Sequence, residues 1–262
     1  MNMKLSVLGS GSSGNAIYVS CGQAQILIDA GMSGREIDSR LKKCASSADK
    51  IDAIFLTHEH NDHIKGAGVL SRRCDIPIFA NKHTWEGAAK KLGSIKDKNC
   101  RLLGKNKEIG KINLKCFSLS HDARDPVGYI VSSGNKKVGV VTDTGYLSQE
   151  VKSELQELDF LIIEANHDYE MLMHGPYPAY LKKRINSKQG HLSNDAAAVA
   201  VPELVQDNCP RVLLAHLSQD NNIPEIAYIT IKNNLEREGL KVGQDIKMGF
   251  TYREKPTEVY QI

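Results

Sequence analysis

The sequence has no long apolar run, and nothing in it approaches the ~20 consecutive apolar residues that a membrane-spanning helix requires. It also lacks internal repeats, low-complexity tracts and linker-like stretches, so we expect one domain over residues 1–262. A net charge of +3 is too small to indicate a partner by itself. These absences argue against a membrane protein and against a multidomain assembly.

Paired cysteines are missing as well. The six cysteines are scattered singly, with no Cys-x-x-Cys and no regular spacing, which argues against a cysteine-ligated zinc site. The first residues turn to Gly and Ser at Gly9, too soon for a signal peptide. We therefore expect reduced thiols in a cytoplasmic protein.

The chain has the composition of an ordinary globular enzyme, with 41% hydrophobic and 25% charged residues. Apolar runs and alternation predict strands, and apolar periodicity with capping signals predicts helices. Pro202 lies inside a predicted helix and should kink or split it. The predicted strands are residues 4–8, 16–20, 25–29, 51–56, 76–80, 112–120, 127–131, 138–142, 160–164, 212–215 and 246–252, and the predicted helices are 34–44, 149–155, 194–205 and 224–238.

The most informative motif is Thr-His-Glu-His-Asn-Asp-His at residues 57–63, directly after an apolar strand. Neutral imidazoles and carboxylates are ligands for Zn²⁺ and related divalent metals. Alternate residues at a strand end point the same way, so His58 and His60 can hold one ion. Asp62 and His63 lie on the turn beyond and can face a second ion. The chain has only nine histidines, so three within six residues are not a chance polar loop.

Three more ligand-type residues end apolar strands elsewhere: His121, Asp143 and His216. Sites in α/β sheets are built at such strand ends. Each residue alone is more often structural. Together with the motif at 57–63 they amount to five histidines and two aspartates, enough ligands for two metals.

This arrangement strongly resembles the metallo-β-lactamase superfamily. Residues 27–31 (Leu-Ile-Asp-Ala-Gly) resemble its first motif, the 57–63 run its second, and His121, Asp143 and His216 its third to fifth. The resemblance implies an α/β (α+β) fold, the αββα sandwich. It also implies that Asp29 supports the site without ligating a metal.

The same resemblance implies a division of the ligands between two metals. One metal would be held by His58, His60 and His121. The other would be held by Asp62, His63 and His216, and Asp143 would bridge the two.

The reaction class depends on residues outside this ligand set. Glu164 ends an apolar strand, and His191 precedes a helix for which Ser193 is the expected N-cap. A Glu that orients a His is a general-acid arrangement. A His191 that only caps or packs is the alternative. The pair resembles the phosphodiesterase branch typified by ribonuclease Z.

A closer resemblance, over nearly the whole chain, is to the YycJ (WalJ) family of bacterial nucleases with the metallo-β-lactamase fold. It implies 5′→3′ exonuclease activity on DNA and a role in mismatch repair. The residues themselves show neither the DNA preference nor the polarity. The segments that carry it are residues 9–15, 121–123, 126–129, 164–168, 175–178, 190–194 and 215–218.

A basic stretch between Glu164 and His191 bears on the substrate. Basic clusters make sequence-independent contacts with phosphates. No acidic residue occurs from 171 to 194, where the cationic side chains are Lys182, Lys183, Arg184 and Lys188. We expect these residues to contact nucleic acid.

The resulting expectation is a dinuclear, metal-dependent phosphodiesterase, a DNA exonuclease with a role in DNA repair. Asp62 would orient the nucleophile, and His191, held by Glu164, would protonate the leaving oxygen. The imidazoles suit Zn²⁺, and the two aspartates make Mn²⁺ or Fe alternatives. A ribonuclease of the ribonuclease Z type and a thioester or lactam hydrolase are the alternative functions.

Overall fold

The computed structural model describes residues 2–205 and 211–262. In the first part of the chain the elements are β1 (Lys4–Gly9), β2 (Ala16–Cys21), β3 (Ala24–Ile28), α1 (Gly34–Lys43), β4 (Ala53–Phe55), α2 (Asn61–Ile64), α3 (Ala67–Cys74), β5 (Ile78–Ala80), α4 (Lys82–Leu92), β6 (Cys100–Leu102) and β7 (Asn106–Ile109). The second part contributes β8 (Ile112–Ser118), β9 (Val127–Ser133), β10 (Lys136–Val141), α5 (Gln149–Glu154), β11 (Phe160–Glu164), α6 (Tyr169–His174), α7 (Ala179–Ile185), α8 (Asn194–Val205), β12 (Arg211–Ala215), α9 (Pro224–Arg237), β13 (Lys247–Phe250) and β14 (Tyr260–Gln261).

The described strands form two seven-stranded sheets that pack face to face. Their strand orders are β14-β1-β2-β3-β4-β5-β6 and β13-β12-β11-β10-β9-β8-β7. Alternate side chains of both sheets meet in a shared core, with Phe55 and Val19 from one sheet and Tyr129 and Phe160 from the other. The outer faces are covered by α1, α3 and α4 on the first sheet and by α5, α8 and α9 on the second. The predicted αββα sandwich is confirmed.

Parallel strands occupy the half of each sheet that carries the site. Strands β3, β4, β5 and β6 are parallel neighbours, as are β10, β11, β12 and β13. The carboxyl ends of parallel strands lie at one edge of a sheet, so the loops that follow them converge there. None of the described helices is both long and apolar enough to cross a membrane.

Helix α1 begins where its capping signal predicts. The Ser33 hydroxyl accepts a hydrogen bond from the Glu36 N–H at 3.2 Å. The Glu36 carboxylate pairs with Arg40 at 2.6 Å, so it does not complete a reciprocal capping box.

Helix α8 runs from Asn194 to Val205 without a break, so it is not split at Pro202. Proline has no N–H, so the carbonyl four residues earlier loses its helical donor. That carbonyl, on Ala198, instead accepts a hydrogen bond from the side-chain amide of Asn234 on α9 at 2.6 Å. A neighbouring helix thus replaces the missing bond, and the predicted split is wrong.

Candidate metal centre

The loops after β4, β8, β10 and β12 bring the seven predicted ligands together at the edge of the two sheets. Ligand atoms of His58, His60 and His121 all lie within 4.8 Å of one another. The same holds for Asp62, His63 and His216, and for a third group made by His58, His63 and Asp143. In a further group, Asp143 lies within the same distance of Glu164, His191 and His216.

The first motif, residues 27–31, supports the loop of residues 57–63 through hydrogen bonds and close packing. Asp29 accepts hydrogen bonds from the Nδ1 of His63 at 2.7 Å and from the Thr57 N–H and hydroxyl, each at 2.8 Å. A β-carbon on Gly31 would lie 1.6 Å from the backbone oxygen of Asp62, so only glycine fits there. The sequence Asp-Ala-Gly therefore fixes both the ring of His63 and the path of the loop.

Hydrogen bonds to the Nδ1 atoms of His121 and His58 orient two rings of the first group. The Nδ1 of His121 donates to the carbonyl of Gly190 at 3.0 Å, and its Nε2 lies 3.3 Å from the Nδ1 of His60. The Nδ1 of His58 lies 3.0 Å from the Thr57 hydroxyl. These bonds leave Nε2 of His58 and Nε2 of His121 facing the centre of the group.

Asp143 lies within ligand distance of His58 in the first group and of His63 and His216 in the second. One carboxylate oxygen is 3.2 Å from Nε2 of His63, and the other is 3.3 Å from Nδ1 of His216. Nε2 of His216 and Nε2 of His63 lie 3.7 and 3.6 Å from one oxygen of Asp62. A carboxylate in this position can contact two ions at once.

Three residues of the site adopt the left-handed backbone region, which costs energy for residues other than glycine. They are Asp29 (φ 60°), Asp143 (φ 59°) and His216 (φ 54°), each just beyond a strand. The turn redirects the side chain from the face of the sheet towards its edge. Strained backbone conformations at three strand ends around one centre are typical of a functional site.

The residues present fit a metal. Among the described residues, Nε2 of His58, Nε2 of His216 and one oxygen of Asp143 are buried without a hydrogen-bond partner. A buried polar atom without a partner is costly. Here Asp143 lies within ligand distance of both histidines. Five imidazoles and two carboxylates form a donor set that suits Zn²⁺, Mn²⁺ or Fe.

Charges within the cluster compensate one another. Burial lowers the pKa of His58, as does the nearby His63, so its ring is a neutral donor. For His216, burial favours the neutral ring, but Asp143, Asp62 and Glu164 outweigh it and raise the pKa to about 10. The carboxylates thus favour positive charge at the centre. A divalent ion would supply that charge.

Glu164 lies beneath the cluster and contacts two histidines. Its Oε1 accepts hydrogen bonds from Nδ1 of His191 at 2.7 Å and Nδ1 of His216 at 3.0 Å. Its Oε2 accepts from the Thr144 N–H at 2.8 Å. Burial raises the pKa of Glu164, but His191 and His216 outweigh it and bring the value to about 2.

His191 opens into a cavity of about 200 Å³ that His216 also lines. Because Nδ1 is bonded to Glu164, Nε2 is the nitrogen left for a substrate. Burial disfavours the charged ring, but Glu164 outweighs it and raises the pKa of His191. Ser193 caps α8 by accepting from the Ala196 N–H at 3.1 Å, as the sequence predicts. His191 also lies within ligand distance of Asp143 and His216, so geometry alone permits it a place at a metal.

The predicted basic residues lie on and after α7, and they differ in position. Arg184 lines the His191 cavity and forms an ion pair with Asp122. Lys182 donates to the Met173 carbonyl at 2.7 Å, whereas Lys183 and Lys188 are exposed. Of the four, Arg184 is thus the one at the cavity that contains His191.

Sequence reasoning missed two polar residues of the site. The amide of Asn15 lies 3.0 Å from Nε2 of His63 and 3.3 Å from an oxygen of Asp62. Asp122 places one buried oxygen 3.2 Å from Nε2 of His121 while the other binds Arg184. Asn15 precedes strand β2, and Asp122 follows His121 in the same loop, so the search for one ligand-type residue at each strand end did not select them.

Comparison with known proteins identifies the family. Residues 24–217 match the family model described as a beta-lactamase superfamily domain. The chain belongs to the beta-lactamase superfamily. Within this superfamily it is 38% identical to exodeoxyribonuclease YycJ of Bacillus anthracis, over all of both chains. It is 39% identical to exodeoxyribonuclease WalJ of Streptococcus pneumoniae D39, over 100% of this chain and 99% of that one.

Solved structures agree on the fold of this superfamily member. The metallo-beta-lactamase fold protein YhfI from Bacillus subtilis superposes with a TM-score of 0.75 over 100% of both chains, at 18% identity. The fold and family expected from the motifs are therefore confirmed.

Proposed function

We propose that this protein is a metal-dependent phosphodiesterase that degrades DNA as a 5′→3′ exonuclease. Its full-length similarity to two exodeoxyribonucleases supports a DNA substrate. The polarity is inferred from the resemblance of the sequence motifs to the YycJ family. A role in DNA repair and a place in the cytoplasm belong to the same proposal.

The observation that carries the proposal is the Glu164–His191 pair beside the metal-ligand cluster. The 2.7 Å hydrogen bond fixes the ring of His191 within the cavity that His216 lines. A fixed imidazole at this place can donate a proton to a leaving oxygen. Lactam and thioester hydrolysis need neither this pair nor a cation such as Arg184 at the cavity.

The chain offers two sets of metal-holding residues. We propose that His58, His60 and His121 hold one divalent ion, that Asp62, His63 and His216 hold a second, and that Asp143 contacts both. Bound there, the ions would supply Lewis acidity, which lowers the pKa of attacking water and neutralises phosphate charge. Zn²⁺ is the ion we favour, with Mn²⁺ or Fe as alternatives.

The remaining roles belong to side chains around the ions. Asp62 has its carboxylate oxygen 3.7 Å from Nε2 of His216, and it can orient the nucleophile by accepting its hydrogen bond. His191 protonates the leaving oxygen through Nε2. Glu164 accepts the Nδ1 proton of the doubly protonated ring and stabilises its charge, so that Nε2 carries the proton that is donated. Arg184, with Lys182, Lys183 and Lys188 nearby on the surface, contacts the phosphates of the substrate.

The ligands also bear on domain organisation. His58, His60, Asp62 and His63 follow a strand of one sheet, and His121, Asp143 and His216 follow strands of the other. Neither half carries a complete ligand set. We therefore propose that residues 1–262 act as one catalytic domain.

The test is a substrate panel with purified, metal-loaded protein. It comprises 5′-labelled and 3′-labelled DNA, labelled RNA, a nitrophenyl phosphodiester, a thioester and a β-lactam. We expect release of 5′-end label as short products while the 3′-label stays in long fragments. Preferred turnover of RNA would favour the ribonuclease alternative. A thioester or lactam turned over far more efficiently than any nucleic acid would reject the proposal.

A further inference from the structure

A second cavity of about 630 Å³ adjoins the one that contains His191. Leu217 and Ser218, just after the ligand His216, line both cavities. The far wall of the second cavity is formed by Phe250, the last residue of β13, and by Tyr252 and Arg253 just after it. This wall lies beyond residue 217, where the match to the superfamily ends.

Arg253 is held in place but has no anionic partner. Its guanidinium donates to the side-chain oxygen of Gln219 and to the carbonyl of Leu217 at 3.3 Å. Both acceptors are neutral, and within residues 2–205 and 211–262 no carboxylate forms an ion pair with Arg253. Arg184, by contrast, is paired with Asp122. A half-buried guanidinium with uncompensated charge is suited to a phosphate.

The backbone around Arg253 is fixed as well. The carbonyl of Arg253 accepts from Arg40 at 2.9 Å, and the carbonyl of Tyr252 accepts from the Ser10 N–H at 3.1 Å. Ser10 in turn accepts from the N–H of His216 through its hydroxyl at 2.8 Å. The guanidinium is thus tied to the ligand loop by a short series of hydrogen bonds, which sets its position relative to the site.

Aromatic side chains line the same cavity as Arg253. The ring of Tyr252, 37% exposed, packs against Phe250 with a centroid distance of 5.7 Å and an interplanar angle of 71°. Lys255 places its ammonium 4.3 Å from the centroid of Tyr252. Aromatic rings beside cations are the usual surface for single-stranded nucleic acid, because bases stack and phosphates pair with the charges.

We propose that this groove, defined by Phe250, Tyr252, Arg253 and Lys255, binds the single strand next to the scissile phosphodiester. Arg253 binds the phosphate of an adjacent nucleotide, and Tyr252 stacks on its base. A cavity of this volume suits a ligand of one or two nucleotides. The proposal rests on the proposed function and specifies where the strand runs beyond the catalytic residues.

The test is binding of a fluorescein-labelled single-stranded DNA by anisotropy, in a His191→Ala background that suppresses cleavage. We expect Arg253→Gln to weaken binding about tenfold, the effect of one charge-assisted contact, and to reduce the salt slope by about 1. Arg253→Lys should keep that slope. Tyr252→Leu should weaken binding about tenfold without changing the slope, because stacking is uncharged.

The matched control is Arg237→Gln, the same charge change on an exposed residue at the far end of α9. That end lies about 20 Å from Pro224, which also lines this cavity, by the rise per residue of a helix. The control should bind like the parent. Thermal unfolding of each variant verifies that it is folded.

The outcomes distinguish failure of the groove proposal from failure of the proposed function. If the parent cleaves DNA but Arg253→Gln and Tyr252→Leu bind like Arg237→Gln, the strand runs elsewhere and the groove proposal is wrong. If the metal-loaded parent neither binds nor cleaves any nucleic acid, both proposals fail. As a second measurement, Arg253→Gln should lower kcat/KM on DNA about tenfold relative to kcat/KM on a nitrophenyl phosphodiester.

Discussion

At the scale of single residues, the surroundings of each buried histidine distinguish its role. Nε2 of His58 and Nε2 of His216 have no hydrogen-bond partner among the described residues, as expected of metal ligands. His191 is bonded to Glu164 through Nδ1 and lines a cavity. His167 is fully buried, and within the described parts of the chain neither of its ring nitrogens has a hydrogen-bond partner. Each of these environments leads to a different result on substitution.

The first prediction separates the general acid from a ligand. His191→Ala should retain both metals and lower turnover of DNA by ~10²–10⁴-fold, the usual contribution of a positioned acid. The loss should be smaller on a nitrophenyl phosphodiester, because a good leaving group needs less protonation. His216→Ala should instead weaken one metal site. Elemental analysis and steady-state kinetics measure both effects.

This prediction has a specific failure, because His191 lies within ligand distance of Asp143 and His216. If His191→Ala loses a metal, or is equally impaired on the activated substrate, His191 is a ligand or a structural residue and not the acid. Glu164→Gln serves as a companion variant. It should resemble His191→Ala in kinetics, because it removes the carboxylate that orients the ring.

The second prediction concerns His167 and acid. Burial lowers the pKa of His167 to about 4, against 6.5 for an ordinary histidine. Below pH 6.5 this histidine is therefore protonated in the unfolded chain but stays neutral in the folded protein until the pH approaches 4. The free energy of unfolding thus falls as the pH falls through this range. Between pH 6.5 and 5.0 this one residue should lower the free energy of unfolding by ~2 kcal/mol.

Urea unfolding of chelator-treated protein at these two pH values tests the effect. His167→Met should show a smaller loss of stability than the parent. His174→Met is the matched control, because the side chain of His174 is 81% exposed. An equal acid sensitivity in parent and His167→Met would show that His167 is not the group responsible.

At the scale of elements, the sequence predicts most of the strands and four of the described helices, α1, α5, α8 and α9, but not α2, α3, α4, α6 or α7. The helix predicted at 224–238 is observed as Pro224–Arg237, and the strand predicted at 246–252 as Lys247–Phe250. The short edge strands β6 and β14 were not predicted, because pairing with a neighbour, not apolar periodicity, forms them. The split predicted at Pro202 is wrong for a similar reason. The Ala198 carbonyl receives its hydrogen bond from Asn234, which lies on another helix.

The third prediction tests that compensation between α8 and α9. Asn234→Ala should lower the free energy of unfolding by about 1–2 kcal/mol, because the Ala198 carbonyl is left without a donor. In a Pro202→Ala background the new N–H can donate to Ala198, so Asn234→Ala should cost much less there. The coupling in this double-mutant cycle should be about 1 kcal/mol.

Asn233→Ala is the matched control, since Asn233 is an exposed neighbour of the same type. It should change stability little in either background. Urea denaturation of the four cycle members and the control gives all the values. A coupling near zero would show that the Asn234 hydrogen bond does not replace the one that Pro202 lacks.

At the scale of the whole molecule, the parts of the site that follow strands were predictable and the rest were not. Ligands such as His58 and His216 follow apolar strands, and strand ends converge by topology. Asn15 and Asp122 lie in loops, and nothing local predicts their contacts with His63 and His121. Arg253 reaches the site from the end of the chain through packing that no sequence pattern encodes.

The sharing of ligands between the two sheets leads to the last prediction. Each proposed ion takes ligands from both, His58 and His60 with His121, and Asp62 and His63 with His216. The unfolded chain holds no such set, so an ion binds the folded protein preferentially and stabilises it. At a free metal concentration of 100 times Kd each site contributes about 2.7 kcal/mol.

For a chain of this size that contribution should raise the unfolding midpoint by roughly 5–10 °C per ion. Scanning calorimetry of Zn²⁺-loaded and chelator-treated protein measures the shift. His58→Ala and His216→Ala should each retain about half of it, because each removes a ligand of one ion. His83→Ala, at an exposed residue outside the cluster, should retain all of it. A full shift that survives in both His58→Ala and His216→Ala would mean that the stabilising metal binds elsewhere.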